Sequence, residues 1–211
     1  FVILILFDPI RAAIEGAASR IFLARRHEFA RQLQALRRNM ASVIDAHEMI
    51  ELVLDQLWAT RRVTHAAVYL VADDFIGHRL TSFRGPQPAE RIDVVSHRAL
   101  FSHLHEAKTP ILLEIVERKF QEAAGEEGEK SGHAALWQEV RGSMRALNAN
   151  ILLPFIASGE VAGLLALNDV RITETFSADE LALLMGIAEQ AGVTLENFRL
   201  FERMKERDRL A

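Results

Sequence analysis

The chain has 211 residues, half of them apolar, a formal charge of −4 and no cysteine. This length and apolar content suit one large domain with flanking helices. The acidic balance provides no overall basic field, so no nucleic-acid partner is expected. The absence of cysteine excludes disulfides, thiolate metal sites, cysteine nucleophiles and cofactors attached through sulfur.

The N-terminal segment begins with FVILILF, an apolar run too short to cross a bilayer, which needs about 20 residues. It fits either a short buried strand or the end of a transmembrane helix. Asp8 and Pro9 mark a helix start, and an arginine-rich amphipathic pattern extends from there to Arg38. We favour a truncated transmembrane helix over residues 1–7 and a juxtamembrane signalling helix over residues 8–45. A solvated helix packed on its own domain is the alternative.

A heptad-like seam lies on this first helix, where apolar residues recur with alternating spacings of four and three: Phe29, Leu33, Leu36, Met40 and Val43. The seam is short, so it indicates either a coiled coil with a second chain or a face toward the core. Asp45 is the expected N-cap of the next helix, whose apolar stripe runs from Ile50 to Trp58.

The middle of the chain predicts strands and helices in alternation. HAAVYLVA (residues 65–72) is apolar on both faces and predicts a central strand, with HRLTSFRG (residues 78–85) as its hairpin partner. RIDVV and ILLEI are short candidate strands around a helix that Ser96 could cap. The acidic, glycine-rich stretch Ala123–Gly132 is predicted to be mobile, and a helix is expected over residues 134–147.

The last third predicts a hairpin, ILLPFIAS and EVAGLLALND, followed by a helix without a stop signal. Ser177 and Glu180 form a capping box at the start of that helix. One face of the helix is expected on the sheet, and a second, weaker seam includes Phe201 and Met204. These elements predict an α+β fold with a central antiparallel sheet and its terminal helices side by side.

The motifs ILLPFIASGEVAGLLALND and FSADELALLMGIAEQAGVTLENFRLF resemble the second half of a GAF domain, a fold common in signalling proteins. The resemblance covers about Ala46 to Phe201 and implies a GAF-like sensor domain over residues 46–198. Residues 199–211 would then form a linker helix leading to an output domain. The two flanks resemble those of bacterial membrane sensor kinases, which implies a cytoplasmic domain of an inner-membrane-anchored histidine kinase. A diguanylate cyclase, a serine phosphatase or a transcription regulator are alternative parents.

The resemblance also bears on ligands. Asn168-Asp169 stands where cyclic-nucleotide-binding members have Asn-Lys, which argues against such a ligand. Family members that hold a bilin covalently or reduce methionine sulfoxide use cysteine, so this chain can do neither, although non-covalent haem stays conceivable. His103 and His105, on a helix, point too far apart to share a metal, and the histidines are interpreted as surface or half-buried.

No enzymatic site is expected in this chain, because it has neither a nucleophile elbow nor a glycine-rich phosphate loop. A small-molecule ligand would lie between the sheet and its covering helices, and the candidate lining residues are aromatic: Tyr69, Phe83, Phe101, Phe120, Trp137 and Phe155. The alternative is that these side chains fill the interior and the domain serves only dimerisation and relay. A parallel homodimer is predicted, with both terminal helices in a four-helix bundle and these residues in the dimer and relay seams: Phe29, Leu33, Leu36, Met40, Phe201 and Met204.

Overall fold

The computed structural model describes residues 27–72, 77–124, 131–169 and 176–210. In chain order the elements are α1 (residues 27–40), α2 (Ala46–Ala59), β1 (His65–Val71), β2 (Gly77–Arg84), β3 (Arg91–Asp93), α3 (Arg98–Ala107), β4 (Ile111–Leu112), α4 (Leu113–Ala124), α5 (Ser131–Ala146), β5 (Ile151–Ala157), β6 (Glu160–Asn168) and α6 (Ala178–Leu210).

The described strands form one antiparallel sheet in the order β3-β2-β1-β6-β5-β4. The central pair is β1 with β6, and each of these apolar strands is covered by helices on both faces. The predicted central position of residues 65–72 is confirmed. The two predicted hairpins are confirmed, since β1 pairs with β2 and β5 pairs with β6. Both outer strands are very short, which limits edge-to-edge association.

Helices cover the two faces of the sheet in separate groups. On one face the helices α1, α2 and α6 pack over alternate strand residues such as Val68, Leu153 and Leu165. On the other face α3, α4 and α5 pack over the residues of opposite parity, such as Tyr69, Leu152 and Leu164. The predicted α+β class, with a central antiparallel sheet flanked by helices and a long C-terminal helix, is confirmed.

Several helix starts follow the sequence signals. The Asp45 side chain accepts a hydrogen bond from the Glu48 backbone N–H at 2.9 Å, as an N-cap should. The capping box is also present, because the Ser177 N–H donates to the Glu180 carboxylate at 2.7 Å. The predicted Ser96 cap is wrong: His97 occupies the N-cap of α3, and the Ser96 hydroxyl donates to Asp93 instead.

The segment after α3 departs most from the prediction. Only Ile111 and Leu112 of the candidate strand ILLEI pair with β5, and helix α4 begins at Leu113. The stretch predicted to be mobile, Ala123–Gly132, is helical at both ends, in α4 and α5. Residues 125–130 lie outside the described residues, as do the predicted membrane segment 1–7 and residues 8–26. Within the part of the chain that is described, no helix has the length and hydrophobicity needed to span a membrane.

Candidate functional site

The aromatic layer is the set of side chains between the sheet and helices α3, α4 and α5. Tyr69, on β1, and Phe101, on α3, are both fully buried in it. The Tyr69 hydroxyl donates a hydrogen bond to the Ala89 carbonyl at 3.0 Å, and burial raises its pKa to about 12. Tyr69 is therefore a fixed, neutral donor inside the domain.

His78 lies in the same layer and was missed by the sequence analysis, which interpreted the histidines as surface or half-buried. Its side chain is 4% exposed and stacks on the Phe101 ring, with the ring centroids 5.0 Å apart. Neither ring nitrogen makes a geometrically good hydrogen bond. Burial lowers the pKa of His78 to about 4, although the nearby backbone of Val161 opposes part of the shift. The imidazole is thus neutral at physiological pH.

A strand-parity signal could have located His78. It stands two residues before Leu80, which also packs against the aromatic layer, so the two share a face of β2. His65, at the start of β1, is likewise buried, and desolvation lowers its pKa. Two histidines therefore depart from the expectation, and burial lowers the pKa of both.

Phe83 and Trp137 lie at the margin of the aromatic layer and are half-buried. The Trp137 ring has the Lys119 ammonium 4.4 Å from its centroid and meets the His103 ring edge-on at 5.2 Å. Burial and the Lys119 charge lower the pKa of His103. This margin is an amphipathic edge of the layer rather than part of its interior.

The other two predicted lining residues lie elsewhere. Phe155 belongs to the opposite core, under α1, α2 and α6, because it shares its strand face with Ile151 and Leu153. Phe120, on α4, is half-buried beside α5, where the Arg141 guanidinium lies 4.3 Å from its ring centroid, and it is not among the side chains packed in the aromatic layer. The prediction that all six aromatic side chains line one pocket is therefore wrong for these two.

An open groove of about 610 Å³ lies at the outer part of the sheet, near β2 and β3. Its lining includes Leu70 and Leu80 together with Arg79 and Arg91, which stand opposite each other on adjacent strands. None of the six predicted lining residues borders it. Among the described residues, no cluster of histidine and carboxylate side chains is arranged to hold a metal.

Comparison with known families identifies this architecture. The family model of the GAF domain matches residues 45–195 of the chain. The chain belongs to the GAF domain family. No curated protein sequence matches it at a significant level.

Solved structures share the GAF fold at low sequence identity. A methyl-accepting chemotaxis protein fragment, residues 122 to 287, aligns with a TM-score of 0.57 at 12% identity, covering 79% of this chain and 98% of that one. The GAF domain of a phosphoenolpyruvate-protein phosphotransferase from Coxiella burnetii has a TM-score of 0.57 at 14% identity, with 84% and 98% covered. A free methionine-R-sulfoxide reductase from Neisseria meningitidis, in complex with its substrate, has a TM-score of 0.57 at 15% identity, with 83% and 92% covered. Such identities show likeness of fold alone.

The N-terminal seam of this GAF domain lies inside its own core. Its four predicted dimer residues are at most 3% exposed within one chain, packed with α2 and α6: Phe29, Leu33, Leu36 and Met40. The core-facing interpretation of this seam is therefore the correct one, since its side chains share a core with α2 and α6 of the same chain. Phe201 and Met204 differ, because they are 54% and 63% exposed.

The first turn of α6 is fixed by a charged cluster, here called the Arg62 clasp: Phe29, Arg62, Phe176 and Glu180. The Arg62 guanidinium lies 4.7 and 4.8 Å from the Phe29 and Phe176 ring centroids and forms an ion pair with Glu180. The two charged side chains are only 12% and 2% exposed. The clasp thus joins the beginning of α1, the loop before β1 and the beginning of α6.

Helices α1 and α6 run parallel. Phe29, near the start of α1, stacks on Phe176 at 6.0 Å, just before α6. Further along both helices, the Arg37 guanidinium lies so close to Gly186 that an added Cβ would meet it at 3.3 Å. Both helices therefore begin at the same pole of the GAF domain, and α6 leaves the domain at the opposite pole.

Proposed function

We propose that this GAF domain is the regulatory input domain of a signalling protein and that α6 carries its output. The observation that supports this most directly is the change of environment along α6. The helix has 33 residues, and its buried residues end at Leu195. From residue 199 to 209 every side chain is exposed. A helical extension of this length is marginal on its own in water, so it needs a partner helix.

The parallel arrangement of α1 and α6 supports a relay in line with the chain. Helix α1 begins at the pole where the Arg62 clasp lies, whereas α6 leaves the domain at the opposite pole. A displacement of α1 would reach α6 directly, because the two helices share one core. This geometry suits a domain inserted between an upstream and a downstream element.

The parent that we favour is a bacterial sensor histidine kinase anchored in the inner membrane, with this domain in the cytoplasm. Support comes from the sequence of the flanks, which has an apolar run and an arginine-rich amphipathic pattern before the domain, and from the outgoing helix α6 after it. One of the solved structures with the same fold is a fragment of a methyl-accepting chemotaxis protein, and the name of that protein indicates a role in signalling. A diguanylate cyclase, a serine phosphatase or a transcription regulator would use the same outgoing helix. We also propose that the chain itself is not an enzyme.

We propose that the chain forms a homodimer through the outgoing part of α6. An exposed apolar stripe on α6, here called the exit stripe, consists of Val193, Leu200, Phe201 and Met204. Its spacing matches one face of a helix that packs on another helix. A second copy of the same helix would cover the exit stripe by two-fold symmetry.

We predict that the chain is dimeric and that Phe201→Asp with Met204→Asp makes it monomeric, because four buried carboxylates would face one another at the interface. Multi-angle light scattering at high protein concentration measures the mass of each form. Arg199→Asp is the matched control, since it changes the charge by the same amount on another side of α6 and should stay dimeric. A monomeric parent chain at every concentration would refute the proposed dimer.

A second candidate function is a dimerisation and relay module that binds no ligand. The filling of the aromatic layer favours it, because Tyr69, Phe101 and Leu104 are all at most 2% exposed. Native mass spectrometry of the purified chain separates the two functions. A small molecule that is released on denaturation supports ligand sensing, whereas the bare protein mass supports the relay without a ligand.

A further inference from the structure

The turn between β5 and β6, here called the exit turn (residues 156–161), is bonded to α6 where that helix leaves the domain. The Ser158 N–H and hydroxyl both donate to the Glu196 carboxylate, at 3.1 and 2.6 Å. Glu196 directly follows Leu195, the last buried residue of α6. The turn is tight, with positive φ angles of 50° at Ser158 and 80° at Gly159. A carboxylate that accepts two hydrogen bonds from one residue couples the orientation of the helix to that of the turn.

The same turn also touches the α6 backbone directly. Gly192 lies against Ile156 so closely that an added Cβ would be 2.9 Å from the Ile156 carbonyl carbon. The pairing of β5 with β6 shifts its register between Phe155 and Ile156, so this contact falls on a β-bulge. Since no side chain separates the two backbones, a displacement of the bulge must displace the helix.

The other side of the exit turn belongs to the aromatic layer. The side chains of Ile156 and Val161 pack in that layer, together with Tyr69 and Phe101. The Glu160 carboxylate also lies 3.4 Å from the His105 Nδ1 on α3. Residues 156–161 therefore contact α3 and its layer on one face of the sheet and α6 on the other.

The two ends of the domain-bound part of α6 are held differently. The Arg62 clasp holds the beginning of the helix through a buried ion pair. The bonds between Ser158 and Glu196 at the exit are exposed to solvent, where such contacts contribute little to stability. The polar contacts at the beginning of α6 are thus stronger than those at its exit.

We propose that the exit turn transmits packing changes in the aromatic layer to α6, which pivots about the Arg62 clasp. The inference rests on the proposed function in one respect, that α6 is the output element. A change in the layer shifts Ile156 and Val161, the bulge moves with them, and the contacts at Gly192 and Glu196 carry the displacement across the sheet. Packed interfaces of this kind shift helices by about 1–2 Å.

The absence of cysteine allows the displacement to be measured with two spin labels placed only where they are wanted. Gln56→Cys on α2 and Arg203→Cys beyond the exit turn are both at exposed positions. Double electron–electron resonance gives their distance within one chain after dilution with unlabelled protein. Leu104→Ala, in α3, serves as the perturbation because Leu104 is fully buried in the aromatic layer. Leu104→Val replaces it if the alanine variant does not fold.

We expect Leu104→Ala to shift the mean label distance by about 1–2 Å and to shift it less than half as far when Glu196→Ala is also present. Glu189→Ala, an exposed glutamate earlier on α6, is the matched control and should leave the full shift in place. An equal shift with and without Glu196→Ala would overturn the proposal. So would the absence of any shift when Leu104→Ala is introduced alone. The distance is measured within one chain and requires neither an output domain nor a dimer. Failure of the proposed output function and failure of the proposed helix displacement would therefore be seen in different experiments.

Discussion

Replacing Arg62 with alanine is expected to destabilise the domain by about 3–5 kcal/mol, the cost of leaving one member of a buried ion pair without its partner. Glu180 is 2% exposed, and its ion-pair partner in the structure is Arg62. The substitution also removes the cation that lies against both the Phe29 and the Phe176 ring. Urea unfolding followed by circular dichroism measures the change in the free energy of unfolding.

A second arginine–glutamate pair provides the control for this experiment. Arg145 and Glu117 form an ion pair at 2.7 Å, with side chains that are 58% and 38% exposed. Arg145→Ala should cost at most about 1 kcal/mol, as expected for a surface pair. A loss for Arg62→Ala as small as that for Arg145→Ala would show that the clasp does not hold the start of α6.

The stability of the domain should fall in acid because His78 resists protonation in the folded state. Its folded pKa of about 4 lies below the reference value of 6.5, so the unfolded chain binds more protons between these two values. The contribution is fully present above pH 6.5 and is lost as the pH falls toward 4. One pKa unit corresponds to about 1.4 kcal/mol, so the loss attributable to His78 is about 3 kcal/mol.

The variant His78→Leu should keep its stability near pH 7.5, because it removes two ring nitrogens that lack good hydrogen bonds. It should lose much less stability than the parent chain between pH 6.5 and 4, with the remaining slope due in part to His65, whose pKa burial also lowers. His133→Leu, at an exposed position of α5, controls for the loss of a histidine. A parent chain and a His78→Leu variant with the same pH slope would contradict the buried, neutral assignment of His78.

The sequence predicted the elements whose signals are local. The central strand was expected at residues 65–72 and lies at His65–Val71. A short run that is apolar on both faces indicates a strand buried on both sides of the sheet. The capping box at Ser177 located the start of α6, because the motif and its hydrogen bonds lie within one helical turn. These features need no knowledge of the rest of the chain.

The elements that depend on distant partners were the ones missed. The seam from Phe29 to Met40 has the spacing of a coiled coil, and only the fold shows that α6 of the same chain covers it. Helix α4 was missed because its first residues continue an apolar run that begins in β4. Phe155 was assigned to the aromatic layer by residue type, whereas its strand parity places it on the other face. Parity, spacing and composition each allow several partners, and tertiary packing chooses among them.

The central claim, that α6 carries the signal out of the domain through its exit stripe, is tested most directly in the full-length parent protein. Phe201→Asp with Met204→Asp should abolish regulated output, which for the favoured kinase is autophosphorylation. The 211-residue chain with both substitutions should still fold and unfold in one cooperative transition, since both side chains are exposed within one chain. Arg199→Asp should preserve regulation. Normal regulated output from the double variant, with the fold intact, would show that the signal does not leave through this helix face.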